Sequence, residues 1–398
     1  MNLTPRLLLT MLLFVFVFFS KAQDNRIQYP PILKKAFFGV DIGSINYPFS
    51  NSDLSANYQA QTISIPHTAP RLTLFGYHFT KNLSARITYM RPVQWVLYRN
   101  LNGDQSKHSV WMNVAGLTVK QNISLTRRLS FYGEAGLALI TRNGFDVNTV
   151  PVITDANYST FSAGGGLEYR VNSKWDLSFY FGYAPGKERI NQPHTVFAGA
   201  GFAYNMNPLA ISSGKISSTK KVVFPKQVLQ FSYTTNRFGY GVNHFFAEGK
   251  VPVFWGGLAQ VENGFAINYT RNIFHTSKIF ALDVGGSFGS WDSNVKDKSF
   301  YAISVYPLLR FNILRYRWAD VYFFYSVAGP SFISQTQIDS HDTGKHFTFR
   351  DFMGIGSYLG HSHLINTEIS IGHFSNGNLF PNNAAVKIPL SFSLGYAF

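Results

Sequence analysis

The sequence predicts an all-β fold: two tandem antiparallel outer-membrane-type β-barrels of about eight strands each, separated by a short polar linker. Three observations carry this expectation. Aromatic residues make up 17% of the 398 residues, yet mean hydropathy is only −0.03. Strands with one face in lipid and the other in a watery lumen combine those two properties. One segment after another alternates with period two, with hardly a convincing helical repeat. That alternation breaks once, over 206–226, where Ser, Lys and Pro accumulate as in a linker.

The chain begins with Met1, a positive charge at Arg6, an apolar run from Leu7 to Phe19 and the small polar stretch Ser20-Lys21-Ala22-Gln23. This is the pattern of a secretory signal peptide, over 1–23, cut near Ala22 or Gln23. The run is too short for a membrane helix, which takes about 20 apolar residues. There are no cysteines, which excludes disulfides and thiolate metal sites. The net charge of +15 is spread over turns and strand ends. That spread argues against nucleic acid and for an anionic lipid surface as partner.

The first barrel, within 24–205, is expected to use segments near 36–48, 68–80, 83–91, 110–125, 128–141, 159–171, 175–184 and 195–205. In Phe38-Gly39-Val40-Asp41-Ile42-Gly43 the large residues fall on one face and Gly and Asp on the other. Leu177 to Tyr183 repeats the pattern. The second barrel, 227–398, is expected from segments near 227–240, 258–271, 277–290, 299–314, 319–334, 346–360, 363–376 and 387–398. In the last of these, Ile388, Leu390, Phe392, Leu394, Tyr396 and Phe398 interleave with smaller residues. A single barrel of about sixteen strands is the alternative, because counting strands does not say which strand closes on which. The amphipathic end with aromatic Phe398 resembles the signal by which the barrel assembly machinery recognises its clients.

One segment of the second half carries chemistry. In 365–376, one face holds Ile365, Thr367, Ile369, Ile371, His373 and Ser375, and the other Asn366, Glu368, Ser370, Gly372, Phe374 and Asn376. The isoleucines mark the first face as lipid-facing. His373 and Ser375 therefore project together from the outer wall, near the turn at Gly377-Asn378. An ionisable side chain at that place is a candidate functional group, and beside a hydroxyl its role is general base to a serine nucleophile. Polar residues that merely cap an apolar stripe at a strand end would look the same, and spacing alone does not separate the two.

His373-Phe374-Ser375-Asn376-Gly377, followed by Pro381-Asn382-Asn383 and a final amphipathic strand, resembles the His-x-Ser-Asn signature of the lipid A 3-O-deacylase (PagL-type) family. The resemblance spans about 227–398, with weaker echoes in Phe347 to Phe352 and Gly354-Ile355-Gly356. It implies an eight-stranded outer-membrane barrel that hydrolyses the 3-position acyl ester of lipid A, with lipopolysaccharide as partner and no metal or cofactor. It further implies Ser375 as nucleophile, His373 as base, and Asn376, Gly377 and Asn383 as oxyanion or supporting groups. The family also places an acid shortly before the last strand, where this chain has Lys387. Glu368 falls on the opposite face from His373, and Asp351 sits on a neighbouring segment that no pattern requires to approach. A Ser-His dyad steadied by Asn376 or Asn383 is one outcome; a non-enzymatic barrel that binds or organises surface lipid is the other.

Elsewhere, His361-Ser362-His363 pairs two imidazoles without a third ligand, so no metal site is assigned. Asp339-Ser340-His341-Asp342 reads as solvated loop charge. Gly164-Gly165-Gly166 and Gly354-Ile355-Gly356 read as close packing inside strands rather than phosphate loops. The first barrel offers no catalytic constellation, and its interior is expected to be filled by side chains.

Overall fold

The computed structural model describes residues 29–207, 224–247, 257–276, 279–295, 299–380 and 382–398. The expected signal peptide, most of the expected linker and Pro381 lie outside the described residues. The first half contains β1 (Ala36–Asn46), β2 (Ala60–Ser64), β3 (Thr68–His78), β4 (Leu83–Met90), β5 (Val96–Leu101), β6 (Asp104–Ser124), β7 (Leu129–Asn143), β8 (Phe145–Val147), β9 (Val150–Ile153), β10 (Ala156–Arg170), β11 (Trp175–Ala184) and β12 (Thr195–Asn205). The second contains β13 (Gln227–Thr235), helix α1 (Gly241–Ala247), β14 (Ala259–His275), β15 (Phe280–Ser293), β16 (Ser299–Arg315), β17 (Ala319–Ile333), β18 (Gln337–Ile338), β19 (His341–Asp342), β20 (Phe347–Leu359), β21 (Ile365–Ser375) and β22 (Val386–Ala397).

Eight strands of the first half pair in the ring β1-β3-β4-β6-β7-β10-β11-β12, with β12 returning to β1. In the second half β13-β14-β15-β16-β17-β20-β21-β22 closes through β13 and β22, from Val228↔Ala397 to Thr234↔Ser391. Each barrel therefore closes on itself, and the single larger barrel does not form. Closure leaves no ladder edge unpaired, which a strand in hydrocarbon requires. Strands β2 and β5 extend β6 beyond the first ring, β8 pairs with β9 and β18 with β19. None of these short strands was expected, because each is too brief to show alternation. Among the described residues no helix is long and apolar enough to cross a membrane.

The alternation read from the sequence becomes two distinct surfaces. Ile42, Leu117, Leu137, Phe161 and Phe179 in the first barrel, and Phe231, Ile267, Phe288, Ile355 and Leu394 in the second, lie exposed on the outer walls. The interiors are filled with paired polar groups. In the first, the Glu134 carboxylate accepts from Arg71 Nη2 (2.7 Å), Thr118 Oγ1 (2.6 Å) and Arg86. Lys120 pairs with Glu168, and the Arg71 guanidinium lies 4.1 Å over the Tyr180 ring. In the second, Asp283 Oδ1 accepts from Arg310 Nη2 (2.9 Å), and the Glu368 carboxylate accepts from Tyr322 (2.6 Å). The expected glycine packing is present: a Cβ on Gly354 would lie 2.1 Å from the Ile369 carbonyl oxygen. The two barrels meet where Tyr29, Ala36 and Met206 pack with Phe274 of β14.

Glu134 is the charge that makes the interior of the first barrel tolerable to two buried arginines. Glu134→Ala leaves Arg71 and Arg86 partly uncompensated and is expected to cost about 3–5 kcal/mol. Urea unfolding of the protein in lipid vesicles checks this: the midpoint should fall, and an unchanged midpoint would show that the arginines do not depend on Glu134.

Candidate active site

Residue parity on β21 decides where the candidate groups point. Asn366 donates to Tyr322 Oη (2.7 Å), and the Phe374 ring stacks edge-on with Trp291 at 5.4 Å, so the even positions face the barrel interior. Ile365 and Ile369 are exposed on the outside, and His373 and Ser375 continue that outward row. A break in register against β22, between Ser370 and Gly372, places Pro389 at a bulge. A proline is tolerated there because no ladder donor is needed.

Ser375 ends β21, and the following turn folds back over it. Gly377 and Asn378 adopt positive φ, 64° and 56°. That sharp reversal aims the Gly377 N–H at Ser375 Oγ (3.2 Å). Asn383, from the far side of the same loop, donates to Ser375 Oγ from Nδ2 (3.0 Å), while its Oδ1 accepts from the Asn376 backbone N–H (3.0 Å). Two N–H donors therefore converge beside the hydroxyl. Asn376 plays a different part: its fully buried side chain donates to the carbonyls of Thr343 (3.2 Å) and Asn382 (2.6 Å), anchoring the loop from inside. Its side chain is turned away from His373 because it belongs to the even, inward row.

The loop is also held from outside. Asp342 Oδ2 accepts from Asn382 Nδ2 (2.5 Å), and its carbonyl accepts from the Ala384 N–H (2.9 Å). Asp339 is buried and accepts from Ser293 Oγ (2.7 Å) and the Val295 N–H (3.1 Å). The expectation of solvated charge over 339–342 is thus corrected: these carboxylates tie neighbouring loops together. A third support comes from the first barrel. Tyr89 Oη donates to the Gly377 carbonyl (3.3 Å), Asn113 Nδ2 to that of Asn378 (3.1 Å), and Asn157 Nδ2 to that of Leu379. Tyr89, Asn113 and Asn157 stand on the outer wall, in the same rows as exposed Ile87, Leu117 and Phe161, and Asn113 is only 2% exposed.

His373 is 1% exposed, which corrects its expected exposure to lipid. It does face outward, but α1 covers this stretch of wall. Phe246 of α1 packs on Met353 and Ile371, and Asn243 Nδ2 donates to the Ile388 carbonyl (2.9 Å). No sequence pattern announces so short a helix.

Three candidate partners for the imidazole are separated clearly. Glu368 points inward to Tyr322, as its parity requires. Lys387 is the register neighbour of His373 on β22, and its Nζ lies 3.4 Å from His244 Nε2 of α1. Asp351 is the register neighbour on β20, and its Oδ2 lies 3.6 Å from His373 Nε2. The other carboxylate oxygen of Asp351 accepts from the Ala328 N–H. Ala328 sits at positive φ (51°) in a bulge of β17 between Ser326 and Gly329, opposite Asp351. The extra residue frees an N–H from the ladder for the carboxylate. His361 and His363 stand apart from this site, with His363 Nδ1 3.6 Å from Asp320.

Known proteins resemble each half separately. The family model for lipid A 3-O-deacylase (PagL) matches residues 263–388, and that for the OmpA-like transmembrane domain matches 36–211. No curated protein sequence matches the chain. Among solved structures, the outer membrane enzyme PagL is similar at 15% identity and a TM-score of 0.30, covering 43% of this chain and 97% of that one. Neisserial surface protein A is similar at 16% and 0.29, covering 43% and 96%. The N-terminal β-barrel domain of Pseudomonas aeruginosa OprF is similar at 16% and 0.27, covering 43% and 98%. The chain consists of two small barrels of the outer-membrane type, the first similar over 36–211 to the OmpA-like transmembrane domain and the second similar over 263–388 to the lipid A 3-O-deacylases.

Proposed function

We propose that the second barrel is a serine esterase that removes an ester-linked acyl chain from lipid A, at its 3-position, on the outer wall of the barrel. The observation that carries this reading is the convergence of the Gly377 N–H and Asn383 Nδ2 on Ser375 Oγ, with His373 in the same outward row. A hydroxyl ringed by preorganised donors is suited to a reaction in which negative charge develops on an adjacent oxygen. The signal peptide over 1–23, cut near Ala22 or Gln23, would deliver the chain for export, and Phe398 would present it to the assembly machinery. The substrate is then the lipopolysaccharide around the barrel.

In the proposed mechanism Ser375 Oγ attacks the ester carbonyl carbon while His373 accepts its proton. The Gly377 N–H and Asn383 amide stabilise the oxyanion. Collapse breaks the bond to the sugar oxygen, which leaves with the proton from His373. Water then attacks the acyl-serine, with His373 as base, to release a fatty acid and restore Ser375. Every group needed comes from the chain, so the mechanism uses no metal or cofactor.

Lys387 beside His373, where the deacylase resemblance implies an acid, is the feature that favours the rival reading of a barrel that only binds or organises lipid. Mass spectrometry of lipid A from an outer membrane expressing the protein separates the two. Wild type should shorten the acyl pattern, and Ser375→Ala or His373→Ala should lower turnover by on the order of 10³-fold or more. An acyl pattern that is unchanged, or changed equally by wild type and Ser375→Ala, rejects the esterase.

The Asn383 amide is assigned to the transition state rather than to substrate binding. Asn383→Ala should therefore lower kcat by about 10²–10³-fold with little change in KM. A rise in KM at unchanged kcat would instead place Asn383 in lipid binding.

A further inference from the structure

The geometry points to Asp351 as the positioning acid of this site, acting on His373 from the strand opposite to the one where the deacylase resemblance implies it; this inference builds on the esterase reading above. A strand has two neighbours, and an outward residue on β21 has one outward register partner on each. For His373 those partners are Asp351 on β20 and Lys387 on β22. Side chains directly opposite in an antiparallel pair stand close enough to interact. A carboxylate on either side satisfies the same requirement: it fixes the tautomer and orientation of the ring and stabilises the imidazolium that forms when Ser375 loses its proton.

Three observations single out Asp351. Its Oδ2 already lies 3.6 Å from His373 Nε2, a separation that contracts as the ring gains charge. Its orientation is fixed by the Ala328 N–H at the β17 bulge. A bulge with a non-glycine residue at positive φ is a local distortion, and here it supplies one donor to one carboxylate. Finally, Lys387, the register neighbour on the other flank, carries no carboxylate, and its Nζ is turned to His244 of α1. An imidazolium formed at a ring as buried as His373 without a compensating anion would be disfavoured. Asp351 supplies the anion from the one direction left. The absence of an acid at 387 therefore does not reduce the site to a dyad; the acid has changed sides.

The test is a swap in the full-length protein, reconstituted with purified lipid A in mixed micelles and followed by fatty acid release. Heat-modifiable gel mobility confirms that each variant is a folded barrel. Asp351→Asn should lower kcat by on the order of 10³–10⁴-fold with KM little changed, and Asp351→Glu should retain turnover. The decisive variant is Asp351→Asn combined with Lys387→Glu, which moves the carboxylate to the opposite neighbour and should restore much of the lost kcat. A merely structural role for Asp351 would not be rescued from across the strand. If Ser375→Ala abolishes release while Asp351→Asn does not, or if Lys387→Glu fails to rescue a folded Asp351→Asn protein, the assignment of Asp351 is overturned and the esterase stands. Release indifferent to Ser375→Ala overturns both.

Discussion

The two rings answer one constraint: in hydrocarbon each backbone N–H and C=O must be bonded within the protein, so strands must close. Closure fixes register, and register fixes which face each residue occupies, since a slip of one position would turn a whole strand inside out. The inward row Asn366 and Glu368 is locked to Tyr322 and Gln230 across the lumen. Because those bonds hold β21 in one parity, His373 and Ser375 have no choice but the outer wall. The interior hydrogen bonds far from the site are in this sense what aims it.

The long-period features were legible in the sequence because they are parity features. The sixteen barrel strands follow from alternation over ten or so residues, as in the last strand from Leu390 to Phe398; Ile388, expected on the same face, is turned inward by the bulge at Pro389. The outward pairing of His373 with Ser375 follows from the isoleucines two and four residues before. What alternation does not encode was not legible. Which strand closes on which depends on pairings such as Val228↔Ala397, separated by most of a barrel. The α1 cover over His373 is too short to show a helical period. The bulge at Ala328 leaves no residue signature, since alanine is an unusual choice at positive φ. Asp339 and Asp342 look like solvated loop charge until the loops they clamp are placed beside them.

The first barrel gains a structural role from the same geometry. A lipid-facing wall should be apolar, yet Tyr89, Asn113 and Asn157 present hydrogen-bonding groups outward and spend them on the carbonyls of Gly377, Asn378 and Leu379. These residues lie two to four positions after Ser375 and set the direction of the Gly377 N–H. A loop projecting from one barrel is mobile by default. Bracing it from a second barrel, and from Asp342 and Thr343 on its own, holds the two N–H donors in place beside the Ser375 hydroxyl.

The central claim is that Ser375 is an activated nucleophile facing the acyl layer. The most direct measurement is covalent trapping: the purified full-length protein is treated with a long-chain fluorophosphonate in detergent, digested and mapped by peptide mass spectrometry. The account predicts a phosphonyl adduct on Ser375 that is lost in His373→Ala. An unmodified Ser375 in the wild-type protein, or labelling that does not depend on His373, would contradict it.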